Sequence, residues 1–425
     1  MTKKLWNNKE INEDNLVDMI KECIKNNWRN SNLFRETEIA CEIIACESYE
    51  GRDEDVEYIL EKLDDGATLV DVEKAIQNGE WYFMETETWK KNIIKGECEM
   101  KNEMKKFEIL SENKKSWNGI TLYQIKATTN FITNSGIEVN AGQLGGWVEK
   151  EENLSQEGKA WVFENAKIYG TAKVYGNAEI LGEAEICGNA KIYDNTEICG
   201  NAKIASNAKI FGNAKVYDNV EIYGYTKIYD NAKIAGNAIV CENAEICGNA
   251  KIFDNAIIRD NTKIRDNAII YDNAIIRDNA IIRDNAIIYD NAIIRDNAII
   301  RDNAIIYDNA IIRDNAIIRG NTIVWDSAKI QGNAEIFDDA KIGGNAIISG
   351  NAFISSPNHL LNITPIGRGH LPLTLFKTKE NTIKVSYNWE LYTIEEFQSI
   401  MNDWTEEEQG VAKAVIEAAK IHIKI

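Results

Sequence analysis

Aromatic residues and arginines recur at steps of eighteen residues through the middle of this chain, where they could form a binding surface. The aromatic set consists of Phe253, Tyr271, Tyr289, Tyr307 and Trp325. The two arginine sets are Arg259, Arg277, Arg295 and Arg313, and Arg265, Arg283, Arg301 and Arg319. Aromatic rings offer a large apolar contact area, and guanidinium groups pair with carboxylates or phosphates. We therefore predict that these sets are the candidate binding residues.

Duplication offers a second explanation for the same residues. The stretch 289–306 repeats 271–288 letter for letter, and copying alone would generate the tyrosine column and both arginine columns. Phe253 and Trp325 lie outside the identical copies, yet they keep the aromatic character of their column. The aromatic set is therefore the stronger candidate of the two kinds.

Catalytic and metal chemistry find less support in the residue pattern. Histidine is the side chain that most easily acts as a general base near neutral pH, but the three histidines, His359, His370 and His422, all follow the repeat. Aspartates also recur at steps of eighteen and could bind Ca²⁺, but each repeated arginine directly precedes an aspartate or glycine, which favours neutralisation within the protein. We predict no catalytic residue, no cofactor and no metal site, and hence no enzyme.

These residues are positioned by a six-residue sequence repeat, N-A-x-I-x-(G/D), which we call the word. It occurs 33 times without insertion through residues 159–356. The Ala and Ile lie on one side of a short strand because side chains alternate, and the Gly/Asp-Asn pair forms a corner. Three strands and three corners close one triangular coil of eighteen residues, which accounts for the step of the columns. We predict about eleven coils of a left-handed parallel β-helix, with roughly 5–9 kcal/mol of apolar burial per coil before entropy.

The central coils also place a second isoleucine outward on all three faces, at Ile269, Ile275, Ile281, Ile287, Ile293 and Ile299. Exposed aliphatic columns favour association unless they are covered. We therefore predict a homo-oligomer, a dimer or a trimer.

The flanks predict three further units. Residues 1–105 show helical periodicity from Leu16 onward and carry a net charge of −10, which predicts an acidic helical domain. Residues 106–158 predict a β cap on the first coil, with strands at 106–110, 120–127 and 146–149. Residues 357–425 predict a small α+β cap with two or three strands and helices at 393–402 and about 405–421.

The word resembles the hexapeptide repeat of left-handed β-helix proteins, and the stretch GQLGGWVEKEENLSQEGKAWVFENAKIYGTAKVYGNA (142–178) resembles the start of the repeat in the YdcK-like proteins of bacteria and prophages. The segment ITPIGRGHLPLTLFKTKENTIKV (363–385) resembles a C-terminal domain of the same group. This group is often described as acyltransferases or polymer-forming proteins on the repeat alone. Acyltransferases of the hexapeptide type use a histidine from the coils, which this repeat lacks.

Together these observations predict a cytoplasmic, non-enzymatic scaffold or binding protein of phage or prophage origin that presents its terminal modules to protein partners. The alternative is a phage accessory protein that binds and inhibits a host defence factor. The net charge of −19 argues against a nucleic-acid partner. No apolar run approaches twenty residues, which argues against a membrane span, and the eight cysteines form no CxxC pair, so we predict reduced thiols.

Overall fold

The computed structural model describes residues 5–6, 9–10, 105–367 and 369–425. The chain divides into two compact units, Met1–Met104 and Lys105–Ile425. In the first unit, β1 (Leu5–Trp6) and β2 (Lys9–Glu10) pair antiparallel. The predicted helices of the N-terminal domain lie outside the described residues, so that domain stays a prediction.

The repeat forms a β-helix built from two-residue strands, and these strands lie in three parallel ladders with eleven coil strands each. Up to the last coil, each coil strand pairs with the strand eighteen residues later, as Ile269 does with Ile287 and Ile287 with Ile305. The predicted period, the triangular coil and the 33 strands are therefore confirmed.

We name the three ladders by their strands. Face 1 consists of 161–162, 179–180, 197–198, 215–216, 233–234, 251–252, 269–270, 287–288, 305–306, 323–324 and 341–342. Face 2 consists of 167–168, 185–186, 203–204, 221–222, 239–240, 257–258, 275–276, 293–294, 311–312, 329–330 and 347–348. Face 3 consists of 173–174, 191–192, 209–210, 227–228, 245–246, 263–264, 281–282, 299–300, 317–318, 335–336 and 353–354.

The core of the coils follows from the alternation of side chains. The second residue of each coil strand and the small residue two positions before it point inward and are almost fully buried, as Ile288 and Ala286 are. Four coils have a threonine in the Ala position, and its hydroxyl donates to the carbonyl three residues earlier, for example from Thr322 to Arg319 at 2.7 Å. A buried hydroxyl is tolerated at these positions because that bond satisfies it.

The corners are held by side-chain ladders that join one coil to the next. At most corners the amide group of the asparagine donates to the asparagine eighteen residues later, as from Asn267 to Asn285 and from Asn285 to Asn303, at 3.1–3.2 Å. The preceding aspartate or glycine has positive φ, for example +57° at Asp272 and +81° at Gly236. The corner residues therefore provide both the left-handed turn and a hydrogen bond along the rod.

The first coil is covered by strands that extend face 2. They are β3 (Phe107–Trp117), β4 (Ile120–Ala127) and β7 (Leu144–Val148), while β5 (Phe131–Ile132) and β6 (Glu138–Val139) form a separate antiparallel pair. Strand β7 pairs in parallel with the first strand of face 2, and Trp161 at the start of face 1 is buried against the rings of Phe107 and Phe131. Short 3₁₀ turns lie at 151–153, 357–359 and 401–403.

The last coil is covered by a four-stranded antiparallel sheet with two helices. Its strands are β8 (Leu360–Ile366), β9 (Leu371–Lys377), β10 (Ile383–Tyr387) and β11 (Glu390–Thr393), and its helices are α1 (Ile394–Ile400) and α2 (Glu406–His422). The sheet has four strands where the sequence predicted two or three. Phe376 joins the core of the β-helix, and the hydroxyl of Thr374 accepts a buried hydrogen bond from the amide of Ile347.

The fold is thus mainly β, a left-handed parallel β-helix with a small α+β region at its carboxyl end, as predicted. None of the helices in the described ranges is long and apolar enough to cross a membrane.

Candidate binding faces

The predicted aromatic set forms a column beside face 1. Each of its members directly follows a strand of that ladder. The rings of Tyr271, Tyr289 and Tyr307 stack in parallel, with centroids 4.9–5.0 Å apart and planes within 2° of each other. The structure therefore brings these side chains together as the eighteen-residue period requires, while their role in binding stays a prediction.

The upper end of this column is set by a glycine. A Cβ atom at Gly343, the next position of the column, would lie 2.1–2.5 Å from ring atoms of Trp325. The indole therefore occupies the space that a side chain at residue 343 would need. Because residue 343 is glycine, the ring of Trp325 can pack against the following coil, and the aromatic column ends there.

The tyrosines of the column stay neutral well into the alkaline range. Burial raises the pKa of Tyr271, and the carboxylates of Asp272 and Asp290 add to that increase. For Tyr289, burial is again the first cause, followed by the neighbouring tyrosines. The column consequently presents apolar ring edges with neutral hydroxyl groups.

The arginine columns lie where predicted, beside face 2 and face 3, but much of their charge is neutralised locally. Four of these arginines approach the aspartate that follows them, at 3.7–3.9 Å: Arg259, Arg277, Arg283 and Arg295. Arg313 donates to the side-chain oxygen of Gln331, and the guanidinium of Arg319 lies 4.5 Å from the centre of the Phe337 ring. Half-exposed ion pairs of this length contribute little stability, but they reduce the net charge of both faces.

The aspartate columns serve the backbone of the coils. The carboxylate of Asp272 accepts a hydrogen bond from the amide of Asp290, and Asp290 in turn accepts from Asp308. The same contact reaches glycine amides, as from Gly332 to Asp314 at 2.9 Å. Within 105–367 and 369–425 no group of three or more His, Cys, Asp or Glu residues is arranged to hold a metal ion.

The cysteines and histidines of this unit show no activated arrangement. Cys187, Cys199, Cys241 and Cys247 are free thiols, and burial raises the pKa of each, to about 11 for Cys199. A raised pKa leaves little thiolate at neutral pH, so these thiols are poor nucleophiles. Burial lowers the pKa of His359, whose Nδ1 accepts a hydrogen bond from the amide of Ser355.

A charged cluster under the N-terminal cap was not predicted. Lys167 is 3% exposed, and its Nζ lies 3.3 Å from a carboxylate oxygen of Glu183 and 4.4 Å from the centre of the Trp117 ring. Lys115 lies 4.1 Å from the ring of Trp147. The signal in the sequence was a lysine in the first coil followed by acidic residues one coil later, but which aromatic rings cover it depends on the hairpin β3–β4.

No protein-family model and no curated protein matches this chain. Two solved structures with which it aligns are a candidate acetyltransferase from Bacillus cereus and LpxA from Acinetobacter baumannii. The first is 16% identical, with 51% of this chain and 97% of that chain covered and a TM-score of 0.15. The second is 13% identical, with 64% and 91% covered and a TM-score of 0.18.

These comparisons correct one prediction. The sequence predicted that the chain is not an enzyme, and that prediction is wrong as it stands, because proteins to which the repeat is similar include an acetyltransferase candidate. The comparisons assign no substrate and no residue role to this chain. They support a hexapeptide-repeat left-handed β-helix, and the finer resemblance to the YdcK-like group stays a prediction.

Proposed function

We propose that this chain is a rigid β-helical scaffold and binding protein that self-associates along its aromatic face. The proposal rests above all on one observation: the stacked rings of Tyr271, Tyr289 and Tyr307 lie beside a second apolar column on the same face. Protein partners, a dimeric or trimeric state and a cytoplasmic location are parts of this proposal.

Rigidity supports the scaffold role. Backbone hydrogen bonds join each coil to the next at every strand, as from the amide of Tyr289 to the carbonyl of Ile306 at 3.0 Å. The asparagine ladders add further bonds at the corners, for example between Asn273 and Asn291. A rod held in this way keeps its outward side chains at fixed positions and separates whatever its two ends carry.

The second apolar column on face 1 consists of the outward isoleucines. Ile269, Ile287, Ile305 and Ile323 are in direct register and half-buried. Each stands two residues before a member of the aromatic column, on the same side of its strand. The two columns together form a continuous apolar strip, whose transfer out of water is favourable.

A second copy of the chain is the occupant that this strip fits. The side chains of its strip repeat at the same strand spacing of about 4.8 Å, so the outward side chains of one copy can lie between those of the other. Four of the eight arginines in the flanking columns approach the aspartate that follows them, so like-charge repulsion between two copies is reduced there. The ends of the rod are covered by the caps, which leaves the faces rather than the strand edges for association.

Light scattering coupled to size-exclusion chromatography tests this proposal. The variant carries Tyr271→Ser, Tyr289→Ser and Tyr307→Ser, and the matched control carries Arg265→Ser, Arg283→Ser and Arg301→Ser at the same position of the word on face 3. We expect a dimer or trimer for the parent chain and the control at micromolar concentration, and a shift toward monomer for the tyrosine variant. A monomeric parent chain, or equal loss in both variants, would contradict the proposal.

The more specific hypotheses come from the resemblance to prophage proteins. In the first, a phage- or prophage-encoded rod holds its terminal modules apart for protein partners. In the alternative, the chain binds and blocks a host defence factor. Neighbouring genes distinguish the two, because tail and baseplate genes favour a structural part whereas early genes favour an interaction with the host.

A further inference from the structure

Helix α2 of the C-terminal cap has two apolar sides. One side packs into the core of the cap and consists of the buried residues Ala412, Val415, Ile416 and Ala419. The other side consists of the exposed residues Val411, Ala414, Ala418 and Ile421. We call this second set the outer stripe. A helix at the surface of a globular protein normally has one apolar and one polar side, so the outer stripe calls for an explanation.

The spacing and the exposure of the outer stripe indicate a contact with another helix. Its members are separated by three, four and three residues, which is the spacing of neighbours on one side of an α-helix. Val411 is 50% exposed and Ile421 is 84% exposed, although both side chains are apolar. A Cβ atom at Gly410, beside the stripe, would meet no other atom within 4 Å. In the described part of the chain, this surface is therefore open.

A second copy of the same helix, running in the opposite direction, fits the outer stripe. Spacings of three, four and three are the same from either end, so a two-fold axis can relate two antiparallel helices across the stripe. Val411 then lies opposite Ile421 of the second copy, and Ala414 lies opposite Ala418. The alanines meet at the centre of the contact, where their small side chains allow the helix axes to approach to about 8 Å.

The charges along α2 favour the antiparallel direction. The first turn carries Glu406 and Glu407, whereas Lys420 and His422 lie in the last turn and Lys424 follows it. An antiparallel pair places the acidic end of each helix beside the basic end of the other and opposes the two helix dipoles. A parallel pair would bring like charges together at both ends. The same charges suit the dipole of their own helix, so the symmetric stripe and the charges together select a second copy.

Charged residues near the ends of the stripe are free to form pairs between copies. Glu407 stands one turn before Val411 on the same side of the helix, and Lys424 follows Ile421 by three residues. Among the described residues, neither Glu407 nor Lys424 takes part in an ion pair. Glu417, beside the centre of the stripe, is paired with a lysine of its own helix at 2.7 Å, which reduces its repulsion of the same residue in the second copy.

We propose that the outer stripe of α2 is a two-fold contact between copies of this chain, which joins them through their C-terminal caps as an antiparallel helix pair. The contact includes no residue of the β-helix, so it is separate from the proposed association along face 1 and does not depend on it. The stripe extends over about 15 Å of helix, which makes the contact smaller than a standard protein interface. We therefore expect weak association, with a dissociation constant on the order of 100 µM.

The test is sedimentation equilibrium of the full chain at about 10 to about 300 µM, in the background of the tyrosine variant of face 1. The stripe variant carries Ala414→Gln and Ala418→Gln, and the control carries Lys413→Gln on another side of α2. Glutamine is a good helix former, so both retain the helix. We expect dimers of the background chain and of the control at the upper concentrations, and a loss of affinity of about tenfold or more in the stripe variant.

Charge reversal tests the antiparallel direction. In a pair of Glu407→Lys chains two lysines meet at each end of the contact, and in a pair of Lys424→Glu chains two glutamates meet. Each variant alone should therefore associate about threefold or more weakly than the background chain. A mixture of the two variants restores opposite charges at both ends, so it should form mixed pairs with an affinity close to that of the background chain.

The proposal is overturned if the background chain stays monomeric over this concentration range, or if the stripe variant and the control associate equally. It is also overturned if the mixture associates no better than its two components. Circular dichroism establishes that each variant is folded, since all the substituted side chains are exposed. The parent with an intact face 1 provides a separate measurement of the association along that face, so the failure of one contact is distinguished from the failure of the other.

Discussion

The strand Ile287–Ile288 allows a sharp test of the register of the coils, because two identical residues stand next to each other on opposite sides of the sheet. Ile288 points inward and is 0% exposed, whereas Ile287 points outward and is half-buried. Replacing Ile288 with alanine removes buried groups and leaves a cavity, which costs about 2–5 kcal/mol. The same replacement at Ile287 removes partly hydrated surface and should cost about 1 kcal/mol or less.

The assay is urea unfolding of the two single variants at the same low protein concentration, supported by hydrogen exchange of the backbone amides in coil 271–288. Hydrogen exchange reports local opening even where a repeat array does not unfold in one step. The substitution gives the peptides of this coil a mass that differs from those of its identical neighbour 289–306. A loss at Ile287 that equals or exceeds the loss at Ile288 would refute the assigned register, because a one-residue slip exchanges the two sides.

Three further predictions follow from individual contacts. Lys106→Met should remove a pH dependence of stability, because burial lowers the pKa of Lys106 to about 8. As the pH rises from 8 to 10.5, the free energy of unfolding of the parent should increase by up to about 3 kcal/mol relative to this variant, measured by urea unfolding. Gly343→Ala should destabilise by about 1–3 kcal/mol, because its Cβ would overlap the ring of Trp325, and the cost should fall when Trp325 is alanine as well. Asn285→Ala breaks the amide ladder on both sides and should cost about 1–2 kcal/mol in urea unfolding.

Each of these predictions has a result that would contradict it. Lys105 is exposed and paired with Glu151, so Lys105→Met should leave the change of stability between pH 8 and 10.5 as it is in the parent. Equal effects of the two lysine variants in this range would show that burial is not the cause. For Gly343, an unchanged cost in the Trp325→Ala background would mean that the ring is not what the new methyl group meets. For Asn285, a variant as stable as the parent would show that water replaces the ladder without loss.

The sign of the Lys106 prediction follows from the direction of its pKa shift. Below pH 8 the side chain is charged in both the folded and the unfolded chain, and the folded chain bears the full cost of burying that charge. Between pH 8 and 10.5 the folded chain releases the proton first, so the cost is progressively lost. Hydrogen bonds from Nζ to carbonyl oxygens, including that of Ala160 at 2.9 Å, offset part of the cost while the lysine is charged.

The β-helix was predictable from sequence because only one backbone arrangement suits every copy of the six-residue repeat. An inward Ile and Ala, a corner of Gly or Asp with Asn, and columns of like residues at steps of eighteen all require the same triangular coil. The positions of Phe253, Tyr271 and the other column members followed directly from that period. The threonines at the Ala position, such as Thr322, were likewise placed inward, as the structure has them.

Other features depend on contacts that the word does not contain. The corner asparagines were interpreted as turn residues, whereas the structure also links Asn285 to its neighbours one coil below and one coil above. The burial of Lys106 depends on how the N-terminal cap folds over the first coil, and the length of β3 to Trp117 depends on its pairing with β4. The aromatic and arginine columns were placed correctly, but a column that repetition alone can generate does not reveal what it binds.

Because 271–288 and 289–306 are identical letter for letter, a binding partner cannot readily distinguish two positions along the rod that are one coil apart. A partner that contacts one coil meets the same surface after a translation of about 4.8 Å, so two positions have nearly equal free energy and differ only through their neighbours. This degeneracy adds about 0.4 kcal/mol of statistical affinity but leaves the partner free to shift by one step. A partner that must bind at one position along the rod needs a contact with a residue outside the identical copies. The ring of Trp325, packed over Gly343, can provide such a contact.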